Sequence, residues 1–141
     1  MSGWSSRRSF LETVSIGVAA AGLAGCAGIP VYVTTVRNNT VSVEIEAFPD
    51  LLTPGKGIVV RAEEAPEPIV LVALEGGGFR ALSGTCTHLA CSVRLSPNGL
   101  ACPCHGSTFG LDGRVTRGPA PEALHIYPTT VHDDVVLITL T

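Results

Sequence analysis

From residue 31 onward, apolar and polar side chains alternate in short runs. In TVSVEIEAF (residues 40–48), Val41, Val43 and Ile45 interleave with Ser42, Glu44 and Glu46. A period of two sends successive side chains to opposite faces of an extended chain, so this run predicts a strand with one buried face. VYVTTVR (31–37) precedes it across Asn38-Asn39, a residue type that tolerates the backbone of a tight turn. PDLLTPGKG (49–57) reads as a loop, and GIVVRAEE (57–64) and PIVLVALE (68–75) predict two more strands parted at Pro66 and Pro68. Gly76-Gly77-Gly78 turns the chain into FRALSGT (79–85). Strand character returns in EALHIYPTT (122–130) and in DVVLITLT (134–141), which is placed to close a sheet from the C-terminal end. Between Cys86 and about Pro121 the alternation fades, and Cys, His, Gly and Pro take over. The pattern predicts an all-β fold, a small antiparallel β-sandwich or barrel, with a loop-rich insertion where a rigid scaffold carries its function.

Composition narrows this picture. The chain has 141 residues, enough for one domain and an extension. Hydrophobic residues make up 45% but aromatics only 5%, so the core is built from Val, Ile, Leu and Ala. Sixteen Gly and ten Pro favour turns and short strands over a helical bundle. The net charge is −3 and the basic residues are scattered, which excludes the basic patch of a nucleic-acid binder.

Residues 1–30 are a different material. Arg7 and Arg8 precede a stretch from Thr13 to Gly25 that carries no charge, the pattern of an export signal. A spanning helix needs about 20 apolar residues; Gly17, Gly22, Gly25, Gly28 and Pro30 make an uncleaved span from Leu11 to Val36 a poor one. SRRSFLE (6–12) resembles the twin-arginine signal, with Phe10 and Leu11 following the arginine pair. That route exports proteins already folded around a cofactor. LAGC (23–26) resembles a bacterial lipobox, in which Cys26 becomes the acylated first residue. The expectation is a bacterial lipoprotein, anchored on the periplasmic or extracytoplasmic side of its membrane, with residues 1–30 as signal and anchor and 31–141 as the folded domain.

The insertion holds the chemistry. CTHLAC (86–91) and CPCHGS (102–107) contain four of the five cysteines and two of the four histidines. Cys102 and Cys104 are poorly placed to bond to each other, because disulfide geometry is demanding, so each needs its own role. Cys86-x-His88 and Cys102-x-x-His105 are two pincers of one thiolate and one imidazole. Brought together, they offer Cys₂His₂. Zinc accepts that set, and so does an iron–sulfur cluster with two histidines on one iron. Zinc fingers usually pair cysteine with cysteine along the chain, whereas here each loop gives one of each, which suits a dinuclear centre. The residues alone leave both metals open.

The two hexapeptides resemble the cluster-binding boxes of the Rieske iron–sulfur proteins, of the type found in cytochrome bc1 and b6f complexes. GPAP (118–121) is similar to the proline loop that covers the cluster in that type. The resemblance spans about Phe79 to Pro121, the cluster-binding subdomain. It implies a Rieske-like sandwich and a [2Fe-2S] cluster, with Cys86 and Cys102 on one iron and His88 and His105 on the other. It further implies a Cys91–Cys104 disulfide, Leu89 shielding the cluster, Ser107 donating a hydrogen bond to a sulfide, and Pro119 in the covering loop.

Two departures stand out. Phe109 occupies the place where high-potential members have a tyrosine, which predicts a lower midpoint because phenylalanine has no O–H to donate. Only thirteen residues separate His88 from Cys102, a shortening around residues 92–101 with a tight turn at Asn98-Gly99, which alters the surface beside the cluster.

The resemblance implies one-electron transfer with no catalytic site of its own. The expected use is a membrane-tethered carrier or the small subunit of a periplasmic oxidoreductase such as an arsenite oxidase, with redox proteins as partners. The alternative is the iron–sulfur subunit of a quinol-oxidising cytochrome bc complex. An oxygenase component is disfavoured, since a 2-His-1-carboxylate iron site has no room here. His125 and His132 read as structural or solvated, Asp112-Gly113 as a hairpin turn, and Glu63, Glu64 and Glu67 as a solvated acidic face.

Overall fold

The computed structural model describes residues 28–141; Arg7, Arg8, the uncharged run 13–25 and Cys26 lie outside the described residues. The strands in chain order are β1 (Val31–Thr34), β2 (Thr40–Glu44), β3 (Gly57–Ala62), β4 (Ile69–Ala73), β5 (Phe79–Ser83) and β6 (Arg94–Ser96). Then come β7 (Gly99–Ala101), β8 (Thr108–Phe109), β9 (Val115–Arg117), β10 (Ile126–Tyr127), β11 (Thr129–His132) and β12 (Val135–Thr139). Because Val31 onward joins a sheet, a spanning segment reaching Val36 is excluded. Among the described residues no helix is long and apolar enough to cross a membrane.

Three sheets stack in layers. The middle one runs β1-β3-β4-β5-β10, the first runs β11-β12-β2, and a small one runs β6-β7-β8-β9. All pairings are antiparallel except β1 with β3. Strand β4 explains the middle position. Its five residues IVLVA are all buried, because both faces of the strand are covered. Ile69 and Leu71 join Val41, Val43, Ile58, Val60, Val136 and Ile138 in a first core between the middle and first sheets. Val70 and Val72 point the other way, into a second core with Leu82, Leu100, Phe109 and the free cysteines Cys86 and Cys102. Each fully buried aliphatic side chain contributes about 1.5–3 kcal/mol relative to exposure, and the shared strand couples the two cores.

Several predicted elements are shorter than their sequence pattern. The run 40–48 is a strand only to Glu44, after which Ile45–Ala47 and Pro49–Leu52 form 3₁₀ turns. Pro49 holds the preceding Phe48 extended, at φ −131° and ψ 96°. Asn38 and Asn39 do form the turn, both left-handed at φ 49° and 60°. The strands on either side then part into different sheets, joined only by the Arg37–Thr40 bridge. Pro128 divides the predicted run 122–130 into β10 and β11, which serve different sheets. Strand β12 sits at the centre of the first sheet between β11 and β2.

The four-stranded small sheet is absent from the periodicity reading. Its hairpin turn falls at Pro97-Asn98, one residue earlier than predicted, with Ser96 paired to Gly99. Gly99 has φ +134°, and a Cβ there would collide with the Phe109 carbonyl, so glycine marks a close approach of two strands.

Candidate metal centre

The two cysteine boxes are tips of two hairpins built to one plan. The Thr85–Ser92 bridge closes the base of residues 86–91, and the Ala101–Thr108 pair closes the base of 102–107. In the first tip the Cys86 amide donates to the Cys91 carbonyl (2.7 Å) and the Ala90 amide to the Cys86 carbonyl (3.0 Å). In the second, the Cys102 amide donates to the Ser107 carbonyl (2.8 Å) and the Gly106 amide to the Cys102 carbonyl (3.0 Å). The fifth residue of each tip is left-handed, Ala90 at φ 59° and Gly106 at φ 79°. The shared Cys-x-x-x-small spacing, Cys86 to Ala90 and Cys102 to Gly106, is the sequence signal of this common plan.

A disulfide joins Cys91 to Cys104, with Cα atoms 6.5 Å apart, inside the ordinary range. Cys86 and Cys102 remain free and buried, at the first position of each tip. The rings of His88 and His105 meet edge to face, with centroids 4.8 Å apart. His88 is half-buried and its Nδ1 atom is buried without a hydrogen-bond partner. A buried, unpaired ring nitrogen is costly unless something else takes its lone pair, and a metal ion does so.

The spacing of the donors bears on which metal fits. Among the described residues, the sulfurs of Cys91, Cys102 and Cys104 form the trio within 4.8 Å of one another. Two of these are tied up in the disulfide, so only Cys102 can donate. The four predicted ligands are not drawn into one such knot, as a single tetrahedral ion with bonds of about 2.0–2.3 Å requires. A [2Fe-2S] centre of the Rieske type would take two thiolates and two imidazoles, and the residues present fit that group.

Around the tips, Ser107 is fully buried and its Oγ accepts the Ala120 amide at 3.0 Å, which fastens residues 118–121 to the second tip. Pro119 in that segment is exposed and follows a cis peptide bond. On the other side Thr87 Oγ1 donates to the Glu122 carbonyl at 2.8 Å, a tie that sequence reasoning missed. Leu89 is 64% exposed at the end of the first tip. Phe109 is buried in the second core. The turn at Asp112-Gly113 forms as expected, its Gly113 amide donating to the Gly110 carbonyl.

Away from the tips, His125 packs edge-on against Tyr127 and hydrogen-bonds Thr141 at 3.1 Å, a structural role; His132 is exposed on β11. The acidic run is less uniform than expected. Glu64 accepts the Val36 amide at 3.0 Å, which lowers its pKa below the usual carboxylate value. Glu67 accepts the Tyr127 hydroxyl at 2.9 Å. Burial of Tyr127, and then that carboxylate, push the phenol well above its ordinary pKa.

The Rieske [2Fe-2S] domain family matches residues 45–128, more than half of the chain and both tips. The chain belongs to this family. Among curated relatives, the Rieske domain is similar to the cytochrome b6-f complex iron-sulfur subunit of Prochlorococcus marinus (strain MIT 9215). The two are 42% identical over 76 residues, which cover 51% of this chain and 43% of that one. The corresponding subunit of Chlorobaculum tepidum is 36% identical over 73 residues, covering 50% and 40%. The chain thus aligns with less than half the length of the curated relatives it matches. Among solved structures, the plasma membrane Rieske protein PetC3 from Synechocystis PCC 6803 superposes with a TM-score of 0.60 at 31% identity, covering 70% of this chain and 98% of that one. A chain of a hyperthermophilic respiratory Complex III gives a TM-score of 0.54 at 25% identity, covering 67% and 71%. The Rieske domain described here is thus homologous to the iron–sulfur subunits of cytochrome b6-f complexes over about half of the chain.

Proposed function

We propose that Cys86, His88, Cys102 and His105 hold the [2Fe-2S] cluster and that the chain passes single electrons at the outer face of a bacterial membrane. The observation that carries this reading is the buried, unpartnered Nδ1 of His88 in a loop whose first residue is a buried free thiol. When bound, such a cluster supplies a one-electron couple of roughly −150 to +300 mV. The chain's own residues do the rest. Cys86 and Cys102, both in the second core, keep their sulfurs away from water. His105 is exposed and offers its ring to a partner at the tip of the molecule. Leu89 and the segment containing Pro119 shield the centre from either side. Ser107 has spent one acceptor lone pair on the Ala120 amide, and its O–H remains to donate to a sulfide. Phe109 has no such donor, so less negative charge is steadied and the midpoint sits below that of members with a tyrosine.

In this reading the chain is exported by the twin-arginine route and tethered through a lipid on Cys26. It serves as a carrier, or as the small subunit of a periplasmic oxidoreductase. A second reading, the iron–sulfur subunit of a quinol-oxidising cytochrome bc complex, is favoured by the b6-f subunits among its relatives; there a quinol would hydrogen-bond the exposed His105 ring.

Reduced full-length protein mixed with an oxidised c-type cytochrome should return one electron per chain, and Cys102→Ser should return none. A wild-type chain that returns none removes the proposal. Co-purification from the native membrane separates the two uses: a diheme cytochrome b supports the bc complex, and a molybdenum-containing subunit or no partner supports the first reading.

A further inference from the structure

The face of the middle sheet that carries the cluster tips is covered only in part. Val31, Val59, Val70, Leu82 and Ile126 stand in register as one row from edge to edge. Val70 and Leu82 in the middle are fully buried in the second core, whereas Val31 at the β1 edge is 54% exposed. Val33, two residues further along the same face, is 69% exposed and pairs in register with Arg61. A groove of about 730 Å³ runs between this uncovered edge and the segment leaving the first tip, and Ile29, Val31, Arg61 and Arg94 line it.

The charge of this groove is out of character with the chain. The net charge is −3, yet no carboxylate lines the groove. Neither Arg61 nor Arg94 enters an ion pair among the described residues, where the pairs are Lys56–Asp50 and Arg114–Asp112. The acidic residues nearest to Arg61 in sequence, Glu63 and Glu64, lie past the end of β3, and Glu64 is held by the Val36 amide.

We propose that this face rests on the membrane surface, with Arg61 and Arg94 against anionic phospholipid headgroups and Val31 and Val33 at the interface. The inference rests on the tether at Cys26 proposed above. Chain length then makes the contact hard to avoid: five residues from Cys26 to Val31 span at most about 18 Å when extended. A lipid on Cys26 therefore keeps β1 close to the bilayer, and the apolar, basic groove is the one beside it; the adjoining hollow at Gly28 and Ile29 carries Asp50, already paired with Lys56. Attraction of basic side chains to an anionic leaflet acts within a Debye length, about 8 Å at physiological salt, so a short tether is what lets two arginines suffice.

Full-length protein is reconstituted with vesicles of phosphatidylcholine alone, and with phosphatidylcholine mixed with phosphatidylglycerol, and backbone hydrogen exchange is read on each. Amides of β1 and of residues 92–95 should exchange several-fold more slowly on the anionic vesicles. The unrelated edge strand β11 should not change, and Arg61→Glu/Arg94→Glu should abolish the difference while the protein still floats with the vesicles. A chain that floats with both vesicle types but exchanges identically on them overturns the proposed surface and leaves the tether standing. Protection at β11 in place of β1 overturns it too. A chain that floats with neither overturns the tether and this inference with it.

Discussion

Residues 86–91 and 102–107 repeat one hairpin tip, with the same two backbone hydrogen bonds and a left-handed fifth residue, yet they carry different side chains. The first position is cysteine in both. At the third, fourth and sixth positions the tips diverge: His88 against Cys104, Leu89 against His105, and Cys91 against Ser107. The backbone frame is therefore indifferent to what it displays, and the chemistry lies in which position each donor takes. The disulfide uses the sixth position of one tip and the third of the other, so the histidines occupy the third and the fourth. One tip ends in a covalent tie. The other ends in a serine that anchors the 118–121 segment by a hydrogen bond.

The largest test of this comparison removes the tie. Cys91→Ser should cost about 3 kcal/mol, the loop-closure value for cysteines 13 residues apart, read by denaturant unfolding. Cys104→Ser should cost the same, and the double variant no more than either, since one bond is lost in each case. Additive losses would show that the two sulfurs act separately.

Next come the donors around the second tip. A hydrogen bond worth about 1 kcal/mol corresponds to about 40 mV for a one-electron couple. Ser107→Ala should lower the midpoint by about that amount, and Phe109→Tyr should raise it, because a donor to the cluster favours its more negative, reduced form. Redox titration reads both. An unchanged or lowered potential in Phe109→Tyr counts against the role assigned to that position.

The smallest test exploits the fifth positions. Gly106→Ala places a side chain at φ 79° and should destabilise by about 1 kcal/mol. Ala90→Gly relieves the same strain at φ 59° and should stabilise, though by less, since glycine also frees the unfolded chain. Opposite signs in thermal melts support equivalent tips; equal signs do not.

Legibility in the sequence followed the range of the interactions. Strands β2, β3, β4 and β12 announced themselves because each has five or six residues, long enough for alternation or a continuous apolar run to register. Strands β6 to β9 have only two or three, too few for any period, so the small sheet read as loop. The parallel pairing of β1 with β3 left no local trace either. At the centre, the pairs Cys86-x-His88 and Cys102-x-x-His105 stand out in the sequence because each spacing is local to one tip. The partners that fix the surroundings were not, because they lie far apart in sequence: Thr87 with Glu122 across 35 residues, and Tyr127 with Glu67 across 60. Two carboxylates read as solvated, Glu64 and Glu67, instead accept hydrogen bonds from the Val36 amide and the Tyr127 hydroxyl.

The proposed centre takes two imidazoles and two thiolates on one diiron cluster. Pulsed EPR of the dithionite-reduced, ¹⁵N-histidine-labelled protein measures this directly. Two coupled histidine nitrogens are expected, with the signal lost in Cys86→Ser and in Cys102→Ser and one coupling removed in His105→Cys. A colourless protein carrying zinc, or a cluster signal with no histidine nitrogen coupled to it, would contradict the account.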